Sequence, residues 1–272
     1  MKYPVGLSLN NQRPLTEEGF RNLKESGIEV VEISHPDYSS FDFKKVKNTA
    51  ENAGVRIWSV HLPFLPFSEI DISSLDRELR ESTVSVLGRI IEKAGDAGID
   101  KFIIHPSGEP IDDSEREERI KCSMESLDLL AEKAKKAGSV IAVEDLPRTC
   151  LGRNSKEILR LVSANDNLRI CFDTNHLLSE NIPDFIRNVG DKIVTTHVSD
   201  YDFINERHWI PGEGDIDWQI LVKALEDINY SGVWLYEVNF EKGRYGRRDL
   251  VYSDFYENAE SIFSGEKPKI IL

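Results

Sequence analysis

An α/β barrel of eight parallel strands, each followed by a helix, is the fold predicted for this chain, on three observations. Short, nearly continuous runs rich in β-branched residues alternate eight times with longer helix-forming segments, the pattern of a parallel sheet covered by helices. Several of those segments close on a glycine just before the next run, at Ser26-Gly27, Ala53-Gly54, Ala97-Gly98 and Ala137-Gly138, where a C-cap glycine turns the chain into a strand. The length, 272 residues, is close to the ~250 typical of one such barrel. A doubly wound open sheet is the competitor, but no G-x-G-x-x-G follows any predicted strand. Residues 1–272 are therefore read as one domain.

The first run, Y-P-V-G-L-S-L (3–9), is followed by Pro14 and by Thr16-Glu17-Glu18, a capping pattern that opens a helix to about Ser26. I-E-V-V-E-I (28–33) precedes a helix over 41–52, and V-R-I-W-S-V-H (55–61) precedes a long one over 74–97. K-F-I-I-H (101–105) leads to a helix over 113–137, and S-V-I-A-V-E (139–144) to one over 155–163. L-R-I-C-F-D (168–173) precedes 182–189, K-I-V-T-T-H-V (192–198) precedes 218–228, and G-V-W-L-Y-E-V (232–238) precedes 249–263.

Composition narrows the class. With 34 Lys and Arg against 48 Asp and Glu, the formal charge is −14, a surface that repels a polyphosphate backbone and disfavours nucleic acid as a partner. No apolar run approaches the roughly 18 residues of a membrane span, and the start, M-K-Y-P-V-G-L-S-L, carries no expected secretory leader. Cys122, Cys150 and Cys171 lack C-x-x-C spacing, so neither a disulfide framework nor a thiolate zinc site is expected, and a cytoplasmic location fits.

The chemistry gathers where the runs end. In the stretch from Thr196 to Asp215, His197 ends the seventh run, Glu206-Arg207-His208 follows, and a Gly-Glu-Gly turn comes next. Glu144, Asp173 and Glu237 close the fifth, sixth and eighth runs. All strand ends of a barrel face one mouth, which would bring together His61, His105, Glu144, Asp173, His176, His197, His208 and Glu237. Any one of these histidines alone is more simply a satisfied loop residue. Jointly they ask for more, because a buried carboxylate at the end of an apolar strand is costly unless paired or metal-bound. Three carboxylates and one imidazole suit a divalent cation, manganese or magnesium first, with cobalt, iron or zinc as alternatives.

V-E-D (143–145), F-D-T-N-H (172–176), T-H-V-S-D (196–200), P-G-E-G-D-I-D-W (211–218) and Y-E-V (236–238) resemble the xylose-isomerase-like superfamily of TIM barrels. That superfamily includes sugar and sugar-phosphate isomerases and epimerases and the endonuclease IV type apurinic endonucleases. The resemblance covers nearly the whole chain. It implies metal ligands at Glu144, Asp173, His197 and Glu237, with Glu144 and Glu237 doubling as the catalytic acid and base that pass a proton through a metal-stabilised enediolate. His61, His105, His176, Arg207, His208 and Trp209 would then surround a sugar, sugar phosphate or sugar acid. A homodimer or homotetramer is the implied assembly. The xylose isomerase branch would instead shift a hydride.

The nuclease branch implies a trinuclear zinc site, and a second set of candidate ligands answers to it: His61 and His105 with Glu144, and His176 with Glu206 and His208. Here the chain reads Glu206-Arg207-His208 where that branch carries Asp-Arg-His, and the longer side chain is expected to misplace a third metal. With the acidic surface, this makes phosphodiester hydrolysis the alternative. A catalytically dead binding barrel is disfavoured by the complete ligand set.

Weaker signals remain. Gly243 to Arg248, G-R-Y-G-R-R, follows the eighth strand and reads equally as an anion clamp or a solvated loop. Arg148, just past Glu144, reads as an anion holder or, more simply, as a surface ion pair; Glu32, at the end of the second run, reads as reaching the floor of the site or, more simply, as a structural pair with a neighbouring Lys or Arg. Trp58 is expected in the core, Trp209 as a lid, and Phe64 and Phe240 near the mouth.

Overall fold

A computed structural model describes residues 1–9, 15–241, 243–269 and 271; Pro14, the predicted break before the first helix, lies outside them. Among the described residues the elements are β1 (Val5–Leu9), α1 (Glu17–Glu25), β2 (Val30–Ser34), α2 (Phe43–Asn52), β3 (Arg56–His61), α3 (Arg77–Asp96), β4 (Lys101–Ile104) and α4 (Arg116–Lys136). They continue as β5 (Val140–Glu144), α5 (Ser155–Val162), β6 (Leu168–Asp173), α6 (Ile182–Val189), β7 (Ile193–Val198), α7 (Trp218–Asp227), β8 (Trp234–Tyr236) and α8 (Tyr252–Phe263). The strands close in sequence order into a barrel, β8 returning parallel to β1 through Val5↔Trp234 and Leu7↔Tyr236. The open-sheet alternative falls on that closure.

Local chemistry sets the helix ends. Thr16, Asp42, Asp76, Asn154, Asn181 and Asp217 each accept a backbone N–H of the first helical turn, satisfying donors that the helix itself leaves open. At the other end of α1, Gly27 N–H donates to Lys24 O and Ile28 N–H to Leu23 O, at 3.1 Å and 3.0 Å, the double closure of a Schellman turn. Gly27 has φ +83°, and a Cβ there would stand 2.3 Å from Tyr256 Cδ2, so both backbone and neighbour demand glycine.

Outward strand residues such as Val5, Leu7, Val31 and Ile141 pack beneath Phe20, Leu127, Ile158, Phe185 and Phe255 of the helices in the main core, each fully buried large side chain contributing about 1.5–3 kcal/mol. The inward phase is different in kind. Register aligns Ser8 with Glu32 and Glu32 with Ser59, His61 with Ile103 and Ile103 with Ala142, Glu144 with Cys171 and Cys171 with Thr195, and His197 with Leu235. Small or apolar residues therefore alternate with the chemistry-bearing ones, two residues apart on each strand.

Two bulges make this phase consistent. The register slips between β2 and β3 at Val31/Glu32, leaving Trp58 as the extra residue, and between β6 and β7 at Ile170/Cys171, leaving Val194. Each slip exchanges the faces of all residues beyond it, and so turns Ser59 and His61, and Thr195 and His197, into the barrel. Trp58 packs with Val30, Val233 and Leu235 and donates its Nε1–H to Thr195 Oγ1 at 3.0 Å, a core role as expected.

Candidate metal centre

Glu144 ends β5, Asp173 ends β6, His197 lies one residue before the end of β7, and Glu237 follows β8. Their ligand atoms all lie within 4.8 Å of one another. His197 Nδ1 is the hub, 3.1 Å from Glu144 Oε1, 2.8 Å from Glu237 Oε2 and 3.9 Å from Asp173 Oδ2. Glu144, Asp173 and His197 are buried, whereas the Glu237 side chain keeps 31% of its surface exposed toward the mouth.

Two further groups flank this one and share its geometry. The carboxylate of Glu144 divides its oxygens: Oε2 lies 3.1 Å from His61 Nε2 and 3.2 Å from His105 Nε2, while Oε1 faces His197. On the other side His176, Glu206 and His208 again bring ligand atoms within 4.8 Å. The longer Glu206 side chain does reach this group, its Oε2 3.6 Å from His176 Nε2 while Oε1 lies 3.1 Å from Arg148. Ring orientation is fixed by backbone carbonyls. The Nδ1–H of His61 donates to Leu62 O at 2.9 Å, that of His176 to Asp145 O at 2.7 Å, and that of His208 to Glu237 O at 3.1 Å. A carbonyl only accepts, so each Nδ1 carries a proton and Nε2 is the nitrogen that faces the centre, that of His61 meeting Glu144 Oε2.

Burial pushes Asp173 well above the usual carboxylate range, and the charges of Glu144 and Glu237 push it further; its Oδ2 has no hydrogen-bond partner. Burial raises Glu144 too, but His197 and His105 outweigh it and hold the carboxylate well below its ordinary value. Burial opposes protonation of His197, yet Cys171 beside it and the carboxylates of Glu32, Glu237 and Glu144 raise it well above a normal imidazole. Closely spaced carboxylates and an orphaned buried oxygen fit a hard divalent cation, which would satisfy Asp173 Oδ2 and relieve the like-charge repulsion.

A cavity of about 330 Å³ opens above the centre, lined by His105, Glu144, Arg148, His176, Glu206, His208 and Glu237 with Phe64 among its apolar walls. His61 lies behind Glu144, and Arg207 and Trp209 stand outside the cavity wall: Arg207 pairs with Asp202 at 2.7 Å and Trp209 packs beneath the guanidinium groups of Arg207 and Arg244. Arg148 is held by Glu109 at 2.5 Å as well as by Glu206, an ion pair as expected. The arginines after β8 are likewise engaged: Arg244 with Asp215, Arg247 buried against Glu213, and Arg248 with Asp254. Phe240 is buried against Phe255 rather than at the mouth.

Two residues were undervalued in the sequence. Glu32 pairs with no neighbouring Lys or Arg among the described residues; it accepts hydrogen bonds from Ser8 and Ser59 and faces His197 Nε2 at 3.1 Å. Asn175, wholly buried, accepts the Arg207 N–H at 2.8 Å and so ties the loop after β6 to the loop carrying Glu206 and His208. The signal was present in the first case, a lone acid in an apolar run, but its partners come from strands β1, β3 and β7.

Comparison with known proteins places the chain. It aligns at 28% identity over 177 residues with the uncharacterized protein MJ1311 of Methanocaldococcus jannaschii, covering 62% of this chain and 60% of that protein's length. A D-psicose 3-epimerase of Ruminiclostridium cellulolyticum is 25% identical over 224 residues (76% of this chain, 72% of that one). A probable endonuclease 4 of Acholeplasma laidlawii is 26% identical over 186 residues, 61% of each. Among solved structures, a D-tagatose 3-epimerase-like protein superposes with a TM-score of 0.79 at 22% identity over 95% of this chain and 97% of its own, a likeness of fold. The model of the xylose isomerase-like TIM barrel family matches residues 20–253, and with the closed eight-stranded barrel, the chain belongs to that family.

Proposed function

We propose that this protein is a divalent-metal-dependent isomerase or epimerase of a small neutral sugar, working by proton transfer. The observation that carries the reading is that Glu144 and Glu237 both line the cavity and both approach His197 Nδ1, at 3.1 Å and 2.8 Å, from strands three places apart around the barrel. Glu144, Asp173, His197 and Glu237 would hold the metal, whose chemistry when bound is to polarise a carbonyl and its neighbouring hydroxyl. Glu144 and Glu237 then stand as the groups that take a proton from the carbon beside that carbonyl and return one. His176 and His208 present Nε2 to sugar hydroxyls, and Phe64, stacked at 4.1 Å on the His105 ring whose Nε2 meets Glu144, covers an apolar face.

Cavity size and charge support a small, uncharged ligand. About 330 Å³ is at the compact end of the ~300–1,000 Å³ of small-molecule sites. Among the described residues lining it, Arg148 is the one guanidinium, and two carboxylates already hold it, so a neutral ketose is favoured over a phosphosugar. The three unpaired, buried cysteines suit a reducing cytoplasm, and among the described residues no helix is long and apolar enough to cross a membrane.

The test is incubation of the manganese-loaded protein with a panel of ketoses in D₂O. Proton transfer washes deuterium into the epimerised carbon, a hydride shift does not, and both Glu144→Gln and Glu237→Gln abolish the wash-in. Absence of any turnover across the panel would remove the reading.

A second reading has its own observation. The groups His61, His105, Glu144 and His176, Glu206, His208 flank the central one, the arrangement expected of a multinuclear phosphodiester hydrolase. Elemental analysis separates the two: about one manganese or magnesium per chain supports the sugar reading, and two or three zinc ions with cleavage of an abasic duplex support the other.

A further inference from the structure

We propose that Glu32 is the positioning residue of the metal centre: it accepts the Nε2–H of His197 and thereby holds the Nδ1 lone pair toward Glu144, Asp173 and Glu237. The inference rests on the metal-centre reading above and assigns a role to β2, a strand that supplies no ligand.

His197 differs from three of its neighbours. His61, His176 and His208 are each set by a backbone carbonyl on Nδ1, which leaves Nε2 facing the centre. His197 is turned the other way, with Nδ1 toward the carboxylates of Glu144 and Glu237 and Nε2 toward Glu32, 3.1 Å from Oε1 and 3.3 Å from Oε2. A ring that binds a cation through Nδ1 carries its proton on Nε2, and the group placed to receive that proton's hydrogen bond is a carboxylate. Such a partner fixes the tautomer and makes the other nitrogen the stronger ligand.

Glu32 is itself held for the task. It is wholly buried, Ser8 Oγ donates to Oε1 at 3.0 Å, and Ser59 Oγ donates to Oε2 at 2.7 Å. Each oxygen thus has a hydroxyl from a flanking strand, and the remaining acceptor capacity faces the imidazole. A buried carboxylate without Lys or Arg is expensive; here two hydroxyls and one ring N–H hold the charge directly beneath the site. The bulge that leaves Trp58 unpaired aligns Ser59 with Glu32, so the β2–β3 irregularity builds this support.

The experiment measures Mn²⁺ dissociation constants by chelator competition for wild type, Glu32→Gln and Ser59→Ala, with apo melting temperatures beside them. Gln can still accept the Nε2–H but carries no charge, so Glu32→Gln is expected to weaken Mn²⁺ about 10–100-fold, and Ser59→Ala to weaken it less, in the same direction. A purely structural role would lower the apo melting temperature and leave the dissociation constants unchanged, which overturns the proposal. Independently of any variant, ¹⁵N spectra of histidine-labelled wild type loaded with Zn²⁺ should show His197 metal-bound at Nδ1 and protonated at Nε2; the reverse tautomer overturns it, even where Glu32→Gln fails to fold. A wild type that binds neither ion removes the metal-centre reading and this inference with it, whereas tight wild-type binding matched by Glu32→Gln removes this inference alone.

Discussion

Asp173→Asn should make the metal-free protein more stable and the metal-loaded protein less so. Asp173 is wholly buried; Oδ1 accepts the Asn175 N–H at 2.7 Å, while Oδ2 has no hydrogen-bond partner and shares its space with the carboxylates of Glu144 and Glu237. Asparagine keeps the first acceptor and turns a donor toward the two carboxylates. Relieving one unsatisfied buried group is worth about 1–3 kcal/mol, which at about 2–4 °C per kcal/mol for a chain of this size raises the EDTA-treated melting temperature by roughly 2–12 °C. In wild type, manganese at 100 times its dissociation constant adds about 2.7 kcal/mol, or roughly 5–11 °C, and the variant should lose that increment. Calorimetry with EDTA and with manganese gives the four melting temperatures. A variant that melts below wild type in EDTA, or that keeps the manganese increment, would refute the assignment of Asp173 as a ligand held in an apo site under charge strain.

Three more outcomes follow from the structure. Glu213→Ala removes the carboxylate that lies 3.2 Å from the buried guanidinium of Arg247, which keeps its bonds to the carbonyls of Asn239, Phe240 and Arg248, and should lower the urea-derived stability by about 1–3 kcal/mol. Gly27→Ala adds a Cβ 2.3 Å from Tyr256 at φ +83°, whereas Gly138→Ala, at φ +71°, meets nothing within 4 Å; the first should cost about 1–3 kcal/mol more than the second, which carries backbone strain alone. The Arg148 hydrogen bonds hold Glu109 below its ordinary 4.5, so the folded state binds that proton less readily than the unfolded chain. The pair's contribution is present above that ordinary value and fades as pH falls through the folded one; acid titration of Glu109→Gln should show a flatter loss of stability over that range.

The barrel was legible in the sequence because its signals are local: β-branched runs, capping side chains and C-cap glycines each act within a few residues. The predicted and observed elements differ mainly at their ends, as at β8, where G-V-W-L-Y-E-V contributes only Trp234–Tyr236 to the ladder. The central candidate cluster was legible for a related reason. A carboxylate or imidazole at the end of an apolar run is anomalous on its own strand, and closure of the barrel brings Glu144, Asp173, His197 and Glu237 to one mouth.

Tertiary structure decided the rest. Whether Glu32 serves a lysine or a histidine depends on which side chains face it inside the barrel, and two bulges set that phase; a one-residue slip cannot be read from a run of apolar letters. Whether Arg207, Trp209 and the arginines after β8 reach the cavity depends on partners such as Asp202, Asp215 and Glu213 in other loops. Sequence alone determined which acidic and imidazole side chains end the strands, because residue type and strand position are local facts; only the folded barrel decided which nitrogen each histidine presents, because hydrogen-bond direction is a property of neighbours distant along the chain.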